Sequence, residues 1–200
     1  METKALRKQA EAVIPTDWGK FIMKAYASSE HNIMPHIVIE SIDLDKSEPI
    51  ILRIHSECMT GDLFHSNKCD CGEQLDTSMQ KIAAEGGMLI YLRQEGRGIG
   101  LINKLKAYQK QAEGFDTIEA NVLLGFKADL RDFSLAINIL REEDVKAVKL
   151  LTNNPEKIEI FKDSGIELIE RLPLEIKPKQ ENLSYLKTKK YELGHLLNSL

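Results

Sequence analysis

The sequence predicts a mixed α/β fold, with a β-rich N-terminal third followed by alternating helices and strands in a single compact domain, 1–200. A length of 200 residues suits one domain, and 42% hydrophobic with 29% charged residues is ordinary for a globular protein. Segments rich in Ile and Val come early, and segments with helical spacing come later. We expect the polar residues 1–14 to form a mobile N-terminal extension.

The individual elements follow from these patterns. Partial alternation between turn residues predicts strands over 20–27, 36–43 and 49–55. Apolar residues at helical spacing predict a helix over Cys71–Glu85, and the continuous apolar run after it predicts a buried strand over 87–93. The later part of the chain predicts helices over 99–112, 131–142, 155–164 and 181–197, and strands over 146–151 and 167–171.

Charge and hydropathy limit the class of partner. The formal net charge is −4, so no global basic field favours nucleic acid, and an anionic substrate requires a local cluster of Arg and Lys. The N-terminus lacks the apolar core of a signal peptide, and the longest apolar runs are far too short for a membrane span. We therefore expect a cytoplasmic protein that binds neither nucleic acid nor a membrane.

The three cysteines lie close together in the sequence, which favours a metal site. Cys58 ends a predicted strand, and Cys69 and Cys71 open a predicted helix, where free N–H groups stabilise thiolates. Three thiolates fill three corners of a tetrahedral zinc site, and the fourth corner would hold a water molecule that zinc acidifies. The alternatives are three buried free cysteines, or closure of the site by His55 or His65.

A glycine-rich loop follows the strand at 87–93. It carries Glu95, Gly96 and Arg97 before a helix, an arrangement that can present N–H groups and guanidinium groups to a phosphate. It matches neither the dinucleotide fingerprint nor the P-loop, and a structural tight turn is the alternative. Thr152 and Lys157 flank the start of a helix at the carboxyl end of a strand, where open α/β sheets bind ligands.

Two further positions have a functional and a structural interpretation. Glu57 precedes the first cysteine and could move protons at a zinc site, or it could be a substrate contact or a surface residue. Asp129 and Arg131 precede a helix and could contact a phosphate, or they could form a surface ion pair.

Six motifs in order resemble the GTP cyclohydrolase II family over about residues 15–197. They are Arg53-Ile54-His55-Ser56-Glu57-Cys58, Cys69-Asp70-Cys71-Gly72, Arg93-Gln94-Glu95-Gly96-Arg97, Asp116-Thr117 through Asn121, Leu124-Gly125-Phe126 with Asp129 and Arg131, and Leu151-Thr152-Asn153-Asn154-Pro155. The resemblance implies hydrolysis of GTP to formate, pyrophosphate and a diaminopyrimidinone ribosylamine 5′-phosphate, the first committed step of riboflavin biosynthesis. It implies the form without a fused dihydroxybutanone phosphate synthase domain, and a homodimer.

The resemblance also assigns roles to single residues. It implies one zinc ion per chain on Cys58, Cys69 and Cys71, and Mg²⁺ on the triphosphate. Its catalytic set is Tyr108 near the purine, Arg131 as a nucleophile at the α-phosphorus or its electrostatic stabiliser, Asp129 as proton acceptor, and Glu57. Its substrate-binding set is Arg53, His55, Ser56, Glu57, Gln74, Glu95, Gly96, Arg97, Thr117, Thr152 and Lys157, of which Gln74 and Glu95 suit the guanine edge.

Two other classes of function are kept as alternatives. His55-Ser56-Glu57 with downstream cysteines suggests a zinc nucleobase deaminase, although the Pro-Cys-x-x-Cys of that class is absent. The second alternative is a non-catalytic nucleotide-binding module with a structural zinc ion. Release of formate would indicate the cyclohydrolase, release of ammonia the deaminase, and binding of the nucleotide without turnover the non-catalytic module.

Overall fold

A computed structural model describes residues 6–127, 129–198 and 200. Within this part of the chain there are seven strands and seven α-helices, so the predicted mixed α/β class is confirmed. The strands are β1 (Arg7–Thr16), β2 (Gly19–Ala27), β3 (His36–Ser41), β4 (Ile50–Ser56), β5 (Gly87–Leu92), β6 (Ala147–Leu151) and β7 (Glu167–Leu172). The helices are α1 (Met59–Asp62), α2 (Cys71–Glu85), α3 (Gly100–Ala112), α4 (Thr117–Leu123), α5 (Ser134–Glu142), α6 (Pro155–Glu159) and α7 (Leu183–Tyr191), and a 3₁₀ turn covers Glu95–Gly98.

The chain divides into two compact units, each built from separate stretches of sequence. Unit 1 comprises Met1–His55, Asp76–Arg93 and Phe133–Leu174, and unit 2 comprises Ser56–Leu75, Gln94–Asp132 and Glu175–Leu200. The extent of the domain, predicted as 1–200, stays a prediction, and the two units are described separately.

Unit 1 contains a seven-stranded mixed sheet in the order β1-β2-β3-β5-β4-β6-β7. The pairs β1–β2, β2–β3 and β3–β5 are antiparallel, whereas β4–β6 and β6–β7 are parallel. The core includes Leu52 and Ile54 of β4, Ile90 of β5, and Ile139 and Leu140 of α5, each with no exposed surface. This buried centre explains why β5 is a continuous apolar run.

The edge strand β1 has no buried apolar face, since eight of its ten residues are exposed, the first seven of them consecutively. Its position depends on pairing with β2 from Arg7 to Thr16. The sequence predicts a mobile extension over 1–14; residues 7–14 lie in this paired strand, and residues 1–5 are outside the described residues.

Unit 2 is formed by α1, the first turn of α2, the 3₁₀ turn, α3, α4 and α7. Helix α4 begins with a capping box in which Asp116 and Glu119 bond each other's backbone N–H groups. None of the helices in the described part of the chain is long and apolar enough to cross a membrane.

Candidate metal centre and nucleotide-binding site

The three cysteines of unit 2 meet in space. The Sγ atoms of Cys58, Cys69 and Cys71 all lie within 4.8 Å of one another, and those of Cys58 and Cys69 are 3.6 Å apart. Three sulfurs on one tetrahedral zinc ion lie about 3.8 Å apart, given a Zn–S distance of about 2.3 Å. The cluster therefore fits zinc, and no histidine among the described residues belongs to it.

Two glycines allow the cysteine segments to approach each other. A Cβ atom at Gly61 would lie 2.8 Å from Cys69 Sγ and 3.2 Å from Cys58 Sγ, and one at Gly72 would lie 2.3 Å from the Gly61 carbonyl oxygen. Cys58 is the residue immediately before α1, and its carbonyl accepts hydrogen bonds from the N–H groups of Gly61 and Asp62. Any side chain at Gly61 would therefore occupy the space that the thiols use.

Lys104 of α3 lies against the cluster. Its Nζ atom is 3.1 Å from Cys58 Sγ and 2.8 Å from Glu95 Oε1, and both partners are buried. Glu95 Oε2 accepts the N–H of Met59, next to Cys58, at 2.6 Å. Three thiolates would carry three negative charges, and one Zn²⁺ ion would neutralise only two of them. The ammonium group of Lys104 offsets the remaining negative charge.

The thiols are held in different protonation states. Hydrogen bonds from Cys69 and Cys71, together with the charge of Lys104, lower the pKa of Cys58. The hydrogen bond to Cys58 and burial raise the pKa of Cys69 to about 11. Burial opposes the charge of Lys104, but the Cys58 thiolate and Glu95 outweigh it and raise the lysine pKa. One thiolate paired with an ammonium group is thus favoured before a metal ion binds.

Tyr108 lies one helical turn after Lys104. The Nζ atoms of Lys68 and Lys104 are 5.2 Å and 5.9 Å from its ring centroid. Burial raises the pKa of Tyr108, while Lys104 and a hydrogen bond with Thr60 act in the opposite direction. The tyrosine is therefore a neutral hydroxyl at neutral pH, on the same helix as the lysine that contacts the cysteines.

Two loops of unit 2 are bonded to each other. Gln94 donates to the Asp132 carbonyl at 3.0 Å and accepts the Asp132 N–H at 2.8 Å. The N–H of Leu130 donates to the Arg97 carbonyl at 3.0 Å. These bonds connect the glycine-rich loop to the loop before α5, so the two segments predicted to bind phosphate do lie side by side.

Two consecutive residues of the glycine-rich loop adopt positive φ angles. Gly96 has φ 63°, and a Cβ atom there would lie 3.1 Å from Lys104 Cβ. Arg97 also has a positive φ, 59°, which is uncommon for a side chain of its size.

The Nη1 atom of Arg97 is buried without a hydrogen-bond partner in the described part of the chain. A buried guanidinium donor of this kind suits an anionic ligand.

Asp129 and Arg131 form a close ion pair rather than two separate groups. Arg131 Nε lies 2.9 Å and 3.1 Å from the two Asp129 oxygens, and Nη2 lies 2.5 Å from Oδ2. Burial opposes ionisation, but Arg131 outweighs it and holds the pKa of Asp129 below its usual value. Both groups are therefore charged, and Asp129 is a weaker base than a free carboxylate.

Unit 1 holds four of the predicted substrate residues, all of them buried. Arg53 donates to the Leu151 carbonyl at 3.0 Å, and Lys157 donates to the Ile54 carbonyl at 2.8 Å. Thr152 Oγ1 accepts the N–H of Asn154 at 3.1 Å. The fourth residue is His55, whose ring stacks on Tyr91 with centroids 5.4 Å apart. The structure thus brings these residues to the ends of β4 and β6 and the start of α6.

The other predicted residues belong to unit 2. Glu57 is buried, and the Ser56 hydroxyl is buried without a partner in the described part of the chain. Gln74 donates to Asp70, and both Glu95 oxygens accept from protein donors, so internal hydrogen bonds already orient both side chains. The side chain of Thr117 lies outside the described residues.

Sequence reasoning missed Lys104, because a lysine inside a helix is ordinarily solvent-exposed. The available signal was its spacing of four residues from Tyr108, which places both on one helix face. It also missed Lys189, which bonds the carboxylate of Asp70 between two of the cysteines.

Known proteins are similar to this chain along most of its length. The family profile described as GTP cyclohydrolase II matches residues 7–173. The riboflavin biosynthesis protein RibBA of Bacillus cereus is 50% identical over 192 residues, which are 96% of this chain and 48% of that protein. The chain thus spans about half the length of that relative.

Shorter relatives match over nearly their whole length. GTP cyclohydrolase-2 of Neisseria meningitidis serogroup A is 49% identical over 98% of this chain and 99% of its own length. GTP cyclohydrolase-2 of Neisseria gonorrhoeae is 50% identical over 94% of this chain and 95% of its own.

Proposed function

Because the chain belongs to the GTP cyclohydrolase II family, we propose that it hydrolyses GTP to formate, pyrophosphate and a diaminopyrimidinone ribosylamine 5′-phosphate. This reaction would make it an enzyme of riboflavin biosynthesis. The observation that carries the proposal is the cluster of Cys58, Cys69 and Cys71 beside the Lys104–Glu95 pair. A cluster of three ligands without a fourth protein ligand is typical of catalytic rather than structural zinc sites.

The three cysteines would hold the zinc ion. Zinc, when bound, supplies a Lewis acid that activates water for attack on the purine C8 carbon. Lys104 balances the thiolate charge, and Glu95 orients Lys104 while it also binds the backbone beside Cys58. Tyr108 presents a neutral hydroxyl from the same helix and would donate or accept a hydrogen bond at the C8 end of the substrate. Glu57 would move protons in the same step.

The phosphates would be bound by the arginines of the two connected loops. Arg97 offers a buried N–H donor, and Arg131 offers a guanidinium fixed by Asp129. Since Asp129 has a lowered pKa, it is a poor acceptor for an arginine proton, and the pair supports electrostatic stabilisation at the α-phosphorus over covalent attack. Ribose, base and remaining phosphate contacts would come from Arg53, His55, Ser56, Gln74, Gly96, Thr117, Thr152 and Lys157.

Further expectations rest on the family resemblance. We propose that Mg²⁺ accompanies the triphosphate and that the protein is a homodimer. A cytoplasmic location suits three free thiols, since that compartment is reducing.

Product analysis tests the proposed function. Purified protein incubated with GTP, Mg²⁺ and Zn²⁺ should release formate and pyrophosphate in equal amounts. A Cys69→Ser variant should lose zinc and formate release but keep some pyrophosphate release, because the two attacked atoms lie far apart on GTP. Wild-type protein stripped of zinc and then reloaded serves as the control. Release of ammonia, or binding of GTP without turnover, would contradict the proposal.

A further inference from the structure

The C-terminal helix α7 contacts the cysteine segment through a buried ion pair. Lys189 Nζ lies 2.7 Å from Asp70 Oδ1, and the two side chains are only 12% and 3% exposed. Asp70 is the residue between Cys69 and Cys71. The contact therefore reaches the backbone that carries two of the three thiols.

Asp70 occupies the turn that opens α2. Its carbonyl accepts the N–H of Gln74 at 3.0 Å, and its Oδ2 atom accepts the Gln74 side-chain amide at 2.5 Å. Both carboxylate oxygens therefore accept from fixed donors, one from α2 itself and the other from α7. A residue held at both oxygens restricts the rotation of the two peptide units that flank it.

The environment of Lys189 makes this contact stronger than a surface pair. Lys189 Nζ also lies 4.5 Å from the centroid of the Tyr185 ring on the same helix. Burial opposes the charge, but Asp70 outweighs it and raises the pKa of Lys189. By contrast, Lys179 contacts Glu73 at 2.9 Å with both side chains more than one third exposed, and such pairs contribute little. Removing one partner of a buried pair leaves an uncompensated charge.

We infer that Lys189 is a positioning residue for the metal site, acting through Asp70 to fix the spacing of the Cys69 and Cys71 thiols. The inference rests on the proposed function, since it assumes that the cysteines bind zinc. Partners that orient metal ligands from outside the coordination sphere typically change metal affinity by about 10–100-fold. Lys189 would therefore control how tightly the site holds its metal, although it is not one of the proposed ligands.

Metal binding by full-length variants tests this inference. Zinc affinity is measured by competition with a chelating dye, and the ligand geometry by the visible absorption of Co²⁺-substituted protein. Lys189→Met should bind zinc about 10–100-fold more weakly than wild type and shift the Co²⁺ bands. Lys189→Arg should restore most of the affinity. Lys187→Met, on the same helix at an exposed position, should behave as wild type.

The outcomes separate a positioning role from a general packing role. Loss of thermal stability in Lys189→Met with unchanged zinc affinity and Co²⁺ spectrum would overturn the inference. If Lys189→Met does not fold, Asp70→Asn removes the same ion pair at nearly constant size, and wild-type zinc affinity there would overturn it equally. A wild-type protein that takes up no zinc would instead contradict the proposed function.

Discussion

The ammonium group of Lys104 lies 3.1 Å from the Sγ atom of Cys58 and 2.8 Å from the carboxylate of Glu95. One lysine thus connects a proposed metal ligand to the glycine-rich loop. The same lysine lies beneath Gly96, because a Cβ atom there would come within 3.1 Å of Lys104 Cβ. The cysteine cluster and the loop proposed to bind phosphate are therefore built around a shared side chain.

Replacing Lys104 by Met should weaken zinc binding and formate release together. The methionine keeps the packing volume but removes the charge that balances the thiolates, so we expect zinc affinity to fall about tenfold or more. Chelator competition and a formate assay measure the two effects. Lys106→Met, at an exposed position of the same helix, is the matched control. Unchanged zinc affinity in Lys104→Met would show that the contact with Cys58 has no bearing on the metal.

Replacing Gly61 by Ala should abolish the metal site. The added methyl group would lie 2.8 Å from Cys69 Sγ, so the thiols must separate or the turn must shift. We expect the zinc content measured by elemental analysis to fall far below that of the wild type. Gly114→Ala is the control, because its positive φ of 106° strains the backbone but no atom lies within 4 Å of the added carbon. That variant should lose stability and retain zinc; full zinc content in Gly61→Ala would refute the argument from space.

Substitution of Arg131 should separate a covalent from an electrostatic role. Loss of one electrostatic contact typically lowers a rate by about 10²–10³, so Arg131→Ala should slow pyrophosphate release by about that factor. Arg131→Lys should keep much of the rate, because an ammonium group still offsets phosphate charge although it lacks the planar fork held by Asp129. Pyrophosphate release is measured for both variants.

Mass spectrometry of the wild type during turnover completes this test. The electrostatic role predicts no guanylylated protein. A trapped adduct, together with a lysine variant as inactive as the alanine variant, would establish Arg131 as a nucleophile.

A buried charge cluster in unit 1 should make stability depend on pH. Glu143 accepts from Lys24, Lys46 and Tyr26. Burial raises the pKa of Glu143, but these partners outweigh burial and lower it from 4.5 to about 2. The stabilisation is therefore fully present above pH 4.5 and is lost as the pH falls towards 2.

Urea unfolding of Glu143→Gln at several pH values measures this contribution. At pH 7 we expect a loss of about 2 kcal/mol in the free energy of unfolding, which is less than the cost of breaking an isolated buried pair, because Lys24 and Lys46 keep Glu40 as a partner. The difference from wild type should shrink below pH 4.5. Glu159→Gln breaks a surface pair with Lys162 and should cost less than about 1 kcal/mol at any pH. A pH-independent difference for Glu143→Gln would show that packing, rather than charge, causes it.

The sequence predicted those helices and strands that bury an apolar face of their own. Helix α2 begins and ends where the apolar spacing and the following glycines place it, at Cys71 and Glu85. Strand β1 was not predicted as a strand, because it depends on the edge of β2 rather than on a buried face. The helix predicted over 131–142 begins only at Ser134, since the preceding residues are bonded to the glycine-rich loop. Contacts between segments that are distant in the sequence produce no hydrophobic periodicity, so these features could not be predicted from the sequence.

The same distinction applies to the site. The cysteine cluster was predictable because its ligands lie within residues 58–71 and their chemistry is specific. The contributions of Lys104 and Lys189 could not be predicted. A lysine in the sequence does not indicate a role at the site, and only the fold shows that Lys104 lies beside Cys58 and Lys189 beside Asp70. All the predicted roles in catalysis and in binding substrate, those of Glu57, Ser56 and Thr117 included, stay predictions.

The distribution of these groups along the chain limits what a fragment can reproduce. A synthetic peptide of residues 58–71 carries all three thiols but neither Lys104 nor Lys189. Such a peptide would chelate zinc as a flexible chain and could recruit a fourth ligand from solution or from a second peptide. The folded protein instead holds the three Sγ atoms within 4.8 Å of one another without a metal ion. Peptide mimics should therefore bind zinc without reproducing the open coordination position of the proposed catalytic site.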